Sequence, residues 1–178
     1  GVLVPLTRET PGAVWPAVVG GGLGVAKVER VVAFAVDDLT GNPVVATTYA
    51  LAVVNQAAER TVRRRWLSVD AGVWEPETAT LMVTWADGRL AGQWSMRDQT
   101  TSLPETLRER VQASVVLSVR LTLGERRSGR VAIRQDFATG ELIPQTILGR
   151  STRPDDPEVQ AHVQAALAHL RDQVGLPA

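Results

Sequence analysis

The sequence predicts an α+β protein with a largely antiparallel, curved sheet of about 7–9 strands joined as meander hairpins. A short helix is expected near residues 103–112, and a C-terminal amphipathic helix near residues 156–174 is expected to pack on the sheet. Three observations favour this class. Apolar and polar residues alternate over most of residues 26–148, turn sequences separate the alternating runs, and the last apolar run has helical spacing.

The C-terminal helix has a start signal, an apolar stripe and a stop signal. Asp156 and Pro157 suit an N-cap and a first turn, and Gly175 suits a left-handed C-cap. Three- and four-residue steps put the apolar residues on one helix face. That stripe consists of Val159, Val163, Ala166, Leu167, Leu170 and Val174.

The shorter helix and a three-stranded meander precede it. Ser102 and Glu105 have the spacing of a capping box, and Pro104 is tolerated in a first turn. An alternating strand begins at Val115, residues 124–129 form a turn, and the alternation resumes at residues 131–137. Residues 142–148 are predicted to be a third strand, in which Pro144 favours a sheet edge.

Two hairpins are predicted upstream. In residues 78–97 the dipeptide Asp87-Gly88 separates two alternating runs. Residues 37–42 form a turn before a strand that runs from Val45 to Val53. Residues 50–66 have a composition that also suits a helix, and we predict strands with a turn near residues 56–59.

The N-terminal residues 1–24 are predicted to contain a strand at 2–6 and a glycine run at 20–24. A phosphate-binding P-loop needs Gly-Lys followed by Ser or Thr, which this run lacks. The glycines precede a predicted strand rather than a helix. The run therefore indicates a hinge or linker.

Composition limits the classes of function. The 178 residues suit one domain, to which residues 1–24 would be loosely attached. Nineteen basic residues balance nineteen acidic ones, so no overall charge attracts nucleic acid or an anionic membrane. The chain has no cysteine, which excludes disulfides, thiolate metal sites and cysteine nucleophiles.

No uninterrupted apolar stretch reaches membrane-spanning length, and we expect a soluble protein without membrane insertion. The cytoplasm is the favoured compartment, although Gly1 at the first position leaves room for an upstream segment or a removed leader. No cofactor and no metal site is predicted.

Residues 60–66 form an arginine cluster that ends in an aromatic ring: Arg60, Arg63, Arg64, Arg65 and Trp66. On a strand, Arg63 and Arg65 share one face, and Arg64 and Trp66 share the other. Such a face could bind phosphate or carboxylate groups, with Trp66 stacking on a base. The alternative is a solvated strand edge whose charge prevents unwanted strand addition.

Other candidate residues are aromatic or titratable. The chain has five tryptophans, Trp15, Trp66, Trp74, Trp85 and Trp94. Trp85 and Trp94 flank one turn and are expected to be near cross-strand neighbours that pack in the core or line an apolar cavity. His162 and His169 are seven residues apart at the border of the C-terminal helix stripe, which favours exposed or boundary histidines over a proton-transfer or ligand role. The Asp37-Asp38 pair favours turn chemistry over loose calcium coordination.

The predicted function is that of a non-catalytic binding or assembly protein that presents a sheet surface or a shallow cavity. The usual catalytic motifs are missing, and long strands need covered edges, so the expected partner is a second copy of the chain or another protein. One alternative is a small-ligand carrier or enzyme with a pocket between the sheet and the C-terminal helix, using His162, His169 or the arginines. The other is a nucleic-acid-binding module at Arg60–Trp66, which the charge balance makes less favoured.

Overall fold

The computed structural model describes residues 29–177. These residues form two α-helices and ten strands, and the strands lie in three antiparallel sheets. The predicted α+β class is confirmed, but the strands form three sheets rather than one curved sheet. The strand and the glycine run predicted within residues 1–24 lie outside the described residues.

Residues 50–66, whose composition also suits a helix, form two strands of the first sheet. Its strand order is β1-β2-β3-β4, with β1 at Val31–Val36, β2 at Pro43–Thr47, β3 at Ala50–Asn55 and β4 at Arg60–Arg65. Residues 56–59 are the turn between β3 and β4, as predicted. The predicted run from Val45 to Val53 is interrupted, because the Thr47 hydroxyl accepts hydrogen bonds from the N–H groups of Tyr49 and Ala50 at 3.1 and 2.9 Å.

Both faces of the first sheet carry buried apolar residues, which explains why every residue of β2 is buried. A continuous apolar run of this kind is typical of a strand that is covered on two sides. One face packs in a hydrophobic cluster, called the main core below, that also contains residues of the second sheet and of the helix after it. Its residues from the first sheet are Ala33, Ala35, Val44, Ala46 and Leu51. The other face carries Phe34, Val45, Ala52 and Val54.

The second sheet has the strand order β5-β6-β7, with β5 at Val69–Glu75, β6 at Thr80–Trp85 and β7 at Gly92–Ser95. The β6–β7 hairpin is confirmed, and Gly88 in its turn has a φ of 76°. β5 was not predicted, because Asp70, Ala71 and Gly72 have low strand propensity. A short 3₁₀ helix at Trp66–Ser68 joins β4 to β5.

Helix α1 spans Leu103–Ser114 and contains the predicted helix 103–112. Its first N–H, from Leu103, donates to the hydroxyl of Thr101 at 3.1 Å, and that hydroxyl donates to the carbonyl of Phe34 at 2.6 Å. Leu103, Leu107 and Val111 recur every four residues and are buried in the main core, with Leu81, Val83, Trp94 and Met96. α1 is therefore fixed both at its start and along one face.

The third sheet and the second helix form their own core. The strand order is β10-β9-β8, with β8 at Val115–Arg120, β9 at Gly129–Gln135 and β10 at Leu142–Leu148, and α2 spans Pro157–Val174. All six residues of the predicted stripe pack in this core. The caps are also confirmed, since Asp156 accepts the N–H of Glu158 at 3.0 Å and Gly175 is left-handed with a φ of 73°.

The described chain divides into two compact units. The first contains residues 29–112 and 137–139, and the second contains residues 113–136 and 140–177. The expectation of a single domain stays a prediction. Within residues 29–177, neither helix is long and apolar enough to cross a membrane.

The same turn sequence, Asp-x-x-Thr-Gly, closes two hairpins. It begins at Asp37 between β1 and β2 and at Asp136 between β9 and β10. In both turns the glycine N–H donates to the aspartate carbonyl at 2.7 Å, and Gly41 and Gly140 have φ values of 74° and 77°. A positive φ explains why glycine stands at these positions.

We expect Gly72→Ala to lower the free energy of unfolding of the first unit by about 1–3 kcal/mol. A methyl group at this position would overlap the Cδ2 atom of Leu107, which is itself buried. Urea unfolding followed by tryptophan fluorescence measures the effect, because Trp66, Trp74, Trp85 and Trp94 all lie in the first unit. Ala71→Ser is the control and should change stability by less than about 0.5 kcal/mol.

Leu107→Ala removes the atom that the new methyl group would meet. In this background the cost of Gly72→Ala should largely disappear. An equal cost in both backgrounds would contradict the packing argument.

We expect Asp156→Asn to make α2 less stable at neutral pH and to remove part of the acid dependence of the second unit. The N–H of Glu158 lowers the pKa of Asp156, and Arg127 lowers it further. A lowered folded pKa contributes stability above the unfolded pKa, and this stability is lost as the pH falls through the folded pKa. The difference in Tm between wild type and variant, followed by far-ultraviolet circular dichroism, should therefore shrink between about pH 5 and about pH 2.

Asp155→Asn is the matched control, because it removes a neighbouring surface carboxylate whose side chain is 72% exposed. A difference in Tm for Asp156→Asn that stays constant over the acid range would argue against the assignment.

Candidate functional site

The predicted arginine cluster lies on β4, an edge strand of the first sheet. Strand alternation puts Arg63 and Arg65 on one face, opposite Ala52 and Ala50 on β3. Arg64 points to the other face, as the sequence predicts. Arg60 is four residues before Arg64 on the strand and therefore lies on the same face as Arg64. The cluster is thus divided between two sides of the strand.

Arg63 forms an ion pair with a buried carboxylate. Its Nη2 atom lies 2.6 Å from Oε1 of Glu29, whose side chain is 1% exposed. The hydroxyl of Thr47 donates to the same oxygen at 2.7 Å. A carboxylate this deeply buried needs such partners, because an uncompensated charge in the interior is costly.

Arg64 is bound on its own face by Asp87 and Trp85. Its guanidinium lies 4.3 Å from the centre of the Trp85 ring, and its Nη2 atom lies 2.5 Å from Oδ2 of Asp87. The pKa of Asp87 is below its ordinary value, chiefly because the N–H of Arg89 donates to the carboxylate and further because Arg64 does. Trp85 therefore packs against a cation as well as against the core.

Trp66 and Trp94 are core residues. Trp66 is 1% exposed, and its indole N–H donates to the carbonyl of Thr47 at 2.9 Å. Trp94 is buried opposite Leu81, and its ring covers Gly92 of the same strand. Trp85 pairs with Val69, so the two tryptophans that flank the hairpin turn are not cross-strand partners.

The two histidines lie on α2. His162 is half-buried, and its Nδ1 atom is 2.9 Å from the carbonyl oxygen of Glu158. His169 is exposed, with its Nε2 atom 3.1 Å from the side-chain nitrogen of Gln173. Both belong to the second unit, and the β4 arginines and the tryptophans described above belong to the first.

The Asp37-Asp38 pair joins the first hairpin turn to β7. Asp37 accepts the hydroxyl of Thr40 at 2.7 Å and the N–H of Ser95 at 3.0 Å. Asp38 accepts the hydroxyl of Ser95 at 3.1 Å and the N–H of Arg97 at 2.5 Å. These carboxylates bind protein donors, which agrees with turn chemistry.

A cavity of about 470 Å³ opens between the second sheet and α1. Leu81 and Val111 are buried residues of its lining. Trp74 also lines it, and this tryptophan is 37% exposed although it lies on the same sheet face as Leu81 and Trp94. The lining is therefore apolar at its base and aromatic at one side.

Polar groups also line this cavity. Asp70 on β5 and Arg108 and Gln112 on α1 are among the lining residues. Arg108 is exposed and lies on the helix next to the buried Leu107. A cavity with an apolar base and a few polar groups is the usual form of a small-molecule site.

The sequence pattern does not bring these residues together. Trp74 stands out only as one of five tryptophans, Asp70 lies on the strand that was not predicted, and Arg108 belongs to no motif. The four-residue spacing of Leu103, Leu107 and Val111 is the signal that places Arg108 at the border of the buried helix face. The pairing of that helix with β5 has no counterpart in the sequence pattern.

Comparisons of the chain with protein-family models, with curated proteins and with solved structures find no match.

Proposed function

We propose that this protein is a non-catalytic binding protein that holds a small, partly apolar molecule in the cavity between the second sheet and α1. The observation that carries the proposal is Trp74, a lining residue of this cavity that is 37% exposed. A tryptophan ring beside a buried leucine is a flat contact surface for a ligand, and covering it would remove apolar area from water.

Two features of the surrounding structure support this function. The volume of about 470 Å³ lies within the common range for small-molecule pockets. The walls belong to regular elements, since β5 and β6 are paired along their length and α1 is buried through Leu103 and Leu107. Sites on such elements hold their geometry better than sites on loops.

The alternatives from the sequence receive less support. A nucleic-acid site at Arg60–Trp66 would need a stacking ring, and Trp66 presents 1% of its surface to solvent. A pocket between the sheet and the C-terminal helix, with His162 or His169, stays a prediction. The described cavity beside α1 is lined by neither histidine.

Self-association is a second candidate function, favoured by Val73 and Met82. These residues are directly opposite each other on β5 and β6, on the face away from Trp74, and are 53% and 38% exposed. An exposed apolar pair on a sheet face is a feature of surfaces that associate. Sedimentation velocity tests this candidate, and a strict monomer at high concentration would contradict it.

The binding proposal is tested by NMR with the neutral probe 2-naphthamide. We expect the probe to shift the indole N–H signal of Trp74 and the amide signals of residues 70–74 and 104–112. The indole signal of Trp66 should stay unchanged, because that N–H is buried and bonded to Thr47. This signal is an internal control for specific binding.

Trp74→Phe keeps a smaller flat ring, and Trp74→Ala removes it. We expect Trp74→Ala to weaken binding of 2-naphthamide by about 1 kcal/mol, or roughly fivefold, with Trp74→Phe between wild type and alanine. Leu90→Ala, which removes a 92% exposed apolar side chain outside the cavity, is the control. Equal binding by wild type and Trp74→Ala would refute the proposal.

A further inference from the structure

Within residues 29–177 the side chain of Arg108 has no partner, unlike most of the arginines described above. Arg63, Arg64, Arg110 and Arg127 each form an ion pair with a carboxylate. Arg108 forms no ion pair and no hydrogen bond from its side chain to any described residue. It is nevertheless part of the cavity lining.

The neighbouring charges on α1 explain why Arg108 stays available. Glu109 binds Arg110 at 2.5 Å, and the guanidinium of Arg110 lies 5.0 Å from the centre of the Phe137 ring. The hydrogen bond from Arg110 lowers the pKa of Glu109, so this carboxylate is charged and already engaged. Glu105, one turn before Arg108, lies outside ion-pair distance of it.

We infer that the cavity takes a flat organic anion, meaning a small molecule with a planar apolar body and one carboxylate or comparable oxyanion. This inference rests on the proposed binding function and adds the charge of the ligand to it. Trp74 contacts the planar body, and Arg108 binds the oxyanion.

The chemistry of the two charged lining residues gives the ligand an orientation. A guanidinium presents paired N–H donors that match the two oxygens of a carboxylate. Asp70 lies on the β5 side of the cavity, and the negative charge of its carboxylate disfavours an oxyanion there. The oxyanion therefore lies on the α1 side of the cavity, next to Arg108.

Three probes with one ring system test the inference: 2-naphthoate, 2-naphthamide and 2-naphthylmethylammonium. We expect wild type to bind the anion roughly tenfold more tightly than the neutral amide, because a charge-assisted pair is added. The cation should bind more weakly than the amide. Added salt should reduce the preference for the anion, since exposed charges are screened.

Arg108→Gln should bring the affinity for 2-naphthoate down to that for 2-naphthamide and leave the amide affinity unchanged. Arg108→Lys should retain part of the preference, because it keeps the charge and loses the bidentate geometry. Arg126→Gln makes the same charge change at an exposed position of the second unit and should have no effect on either probe. Gln is nearly as favourable as Arg in a helix, so the variant should fold.

The outcomes separate this inference from the proposed function. If none of the three probes binds, the binding function itself fails. If 2-naphthamide binds in a Trp74-dependent way but 2-naphthoate binds no more tightly, only the inference on charge is overturned. It is also overturned if the cation binds most tightly, or if Arg108→Gln weakens binding of the amide and the anion equally, which would indicate a merely structural role.

Discussion

The position of α1 on the second sheet depends on the contact between the Leu107 side chain and the backbone of Gly72. A Cβ atom at Gly72 would overlap the Leu107 side chain, so glycine at this position lets Leu107 pack directly against β5. The approach buries Leu107 beside Leu81 and leaves Trp74 and Arg108 around the open part of the same cavity. A site built in this way is only as well defined as the packing beneath it.

Arginine pairing determines which cations remain available for a ligand. Arg63 compensates the buried carboxylate of Glu29, and Arg64 is held between Asp87 and the face of Trp85. The net contribution of such an ion pair to the free energy of unfolding is small. Removing one partner is costly, because it leaves a buried or stacked charge uncompensated. The contrast with Arg108 is what makes this arginine a candidate for binding an anion.

Sequence patterns predicted the structure correctly wherever the structure depends on residues within a single helix, strand or turn. The six-residue stripe of α2, its caps at Asp156 and Gly175, and the hairpin turn at Gly88 follow from periodicity and backbone preference. The predicted strands at residues 50–66 were also correct. β5 was missed because a strand with Gly72 at its centre has little propensity of its own and is stabilised by pairing with β6 and by the helix above it.

The sequence by itself determined the α+β class, both helices, most strands and the assignment of Asp37-Asp38 to a turn, because each depends on spacing over a few residues. Tertiary structure alone decided that the strands form three sheets, that Arg63 and Arg64 have different partners, and that Trp74 and Arg108 line one cavity. These features join residues that are separated by tens of positions. Side-chain volume and burial determine such contacts, and the periodic spacing of apolar residues within one element does not predict them.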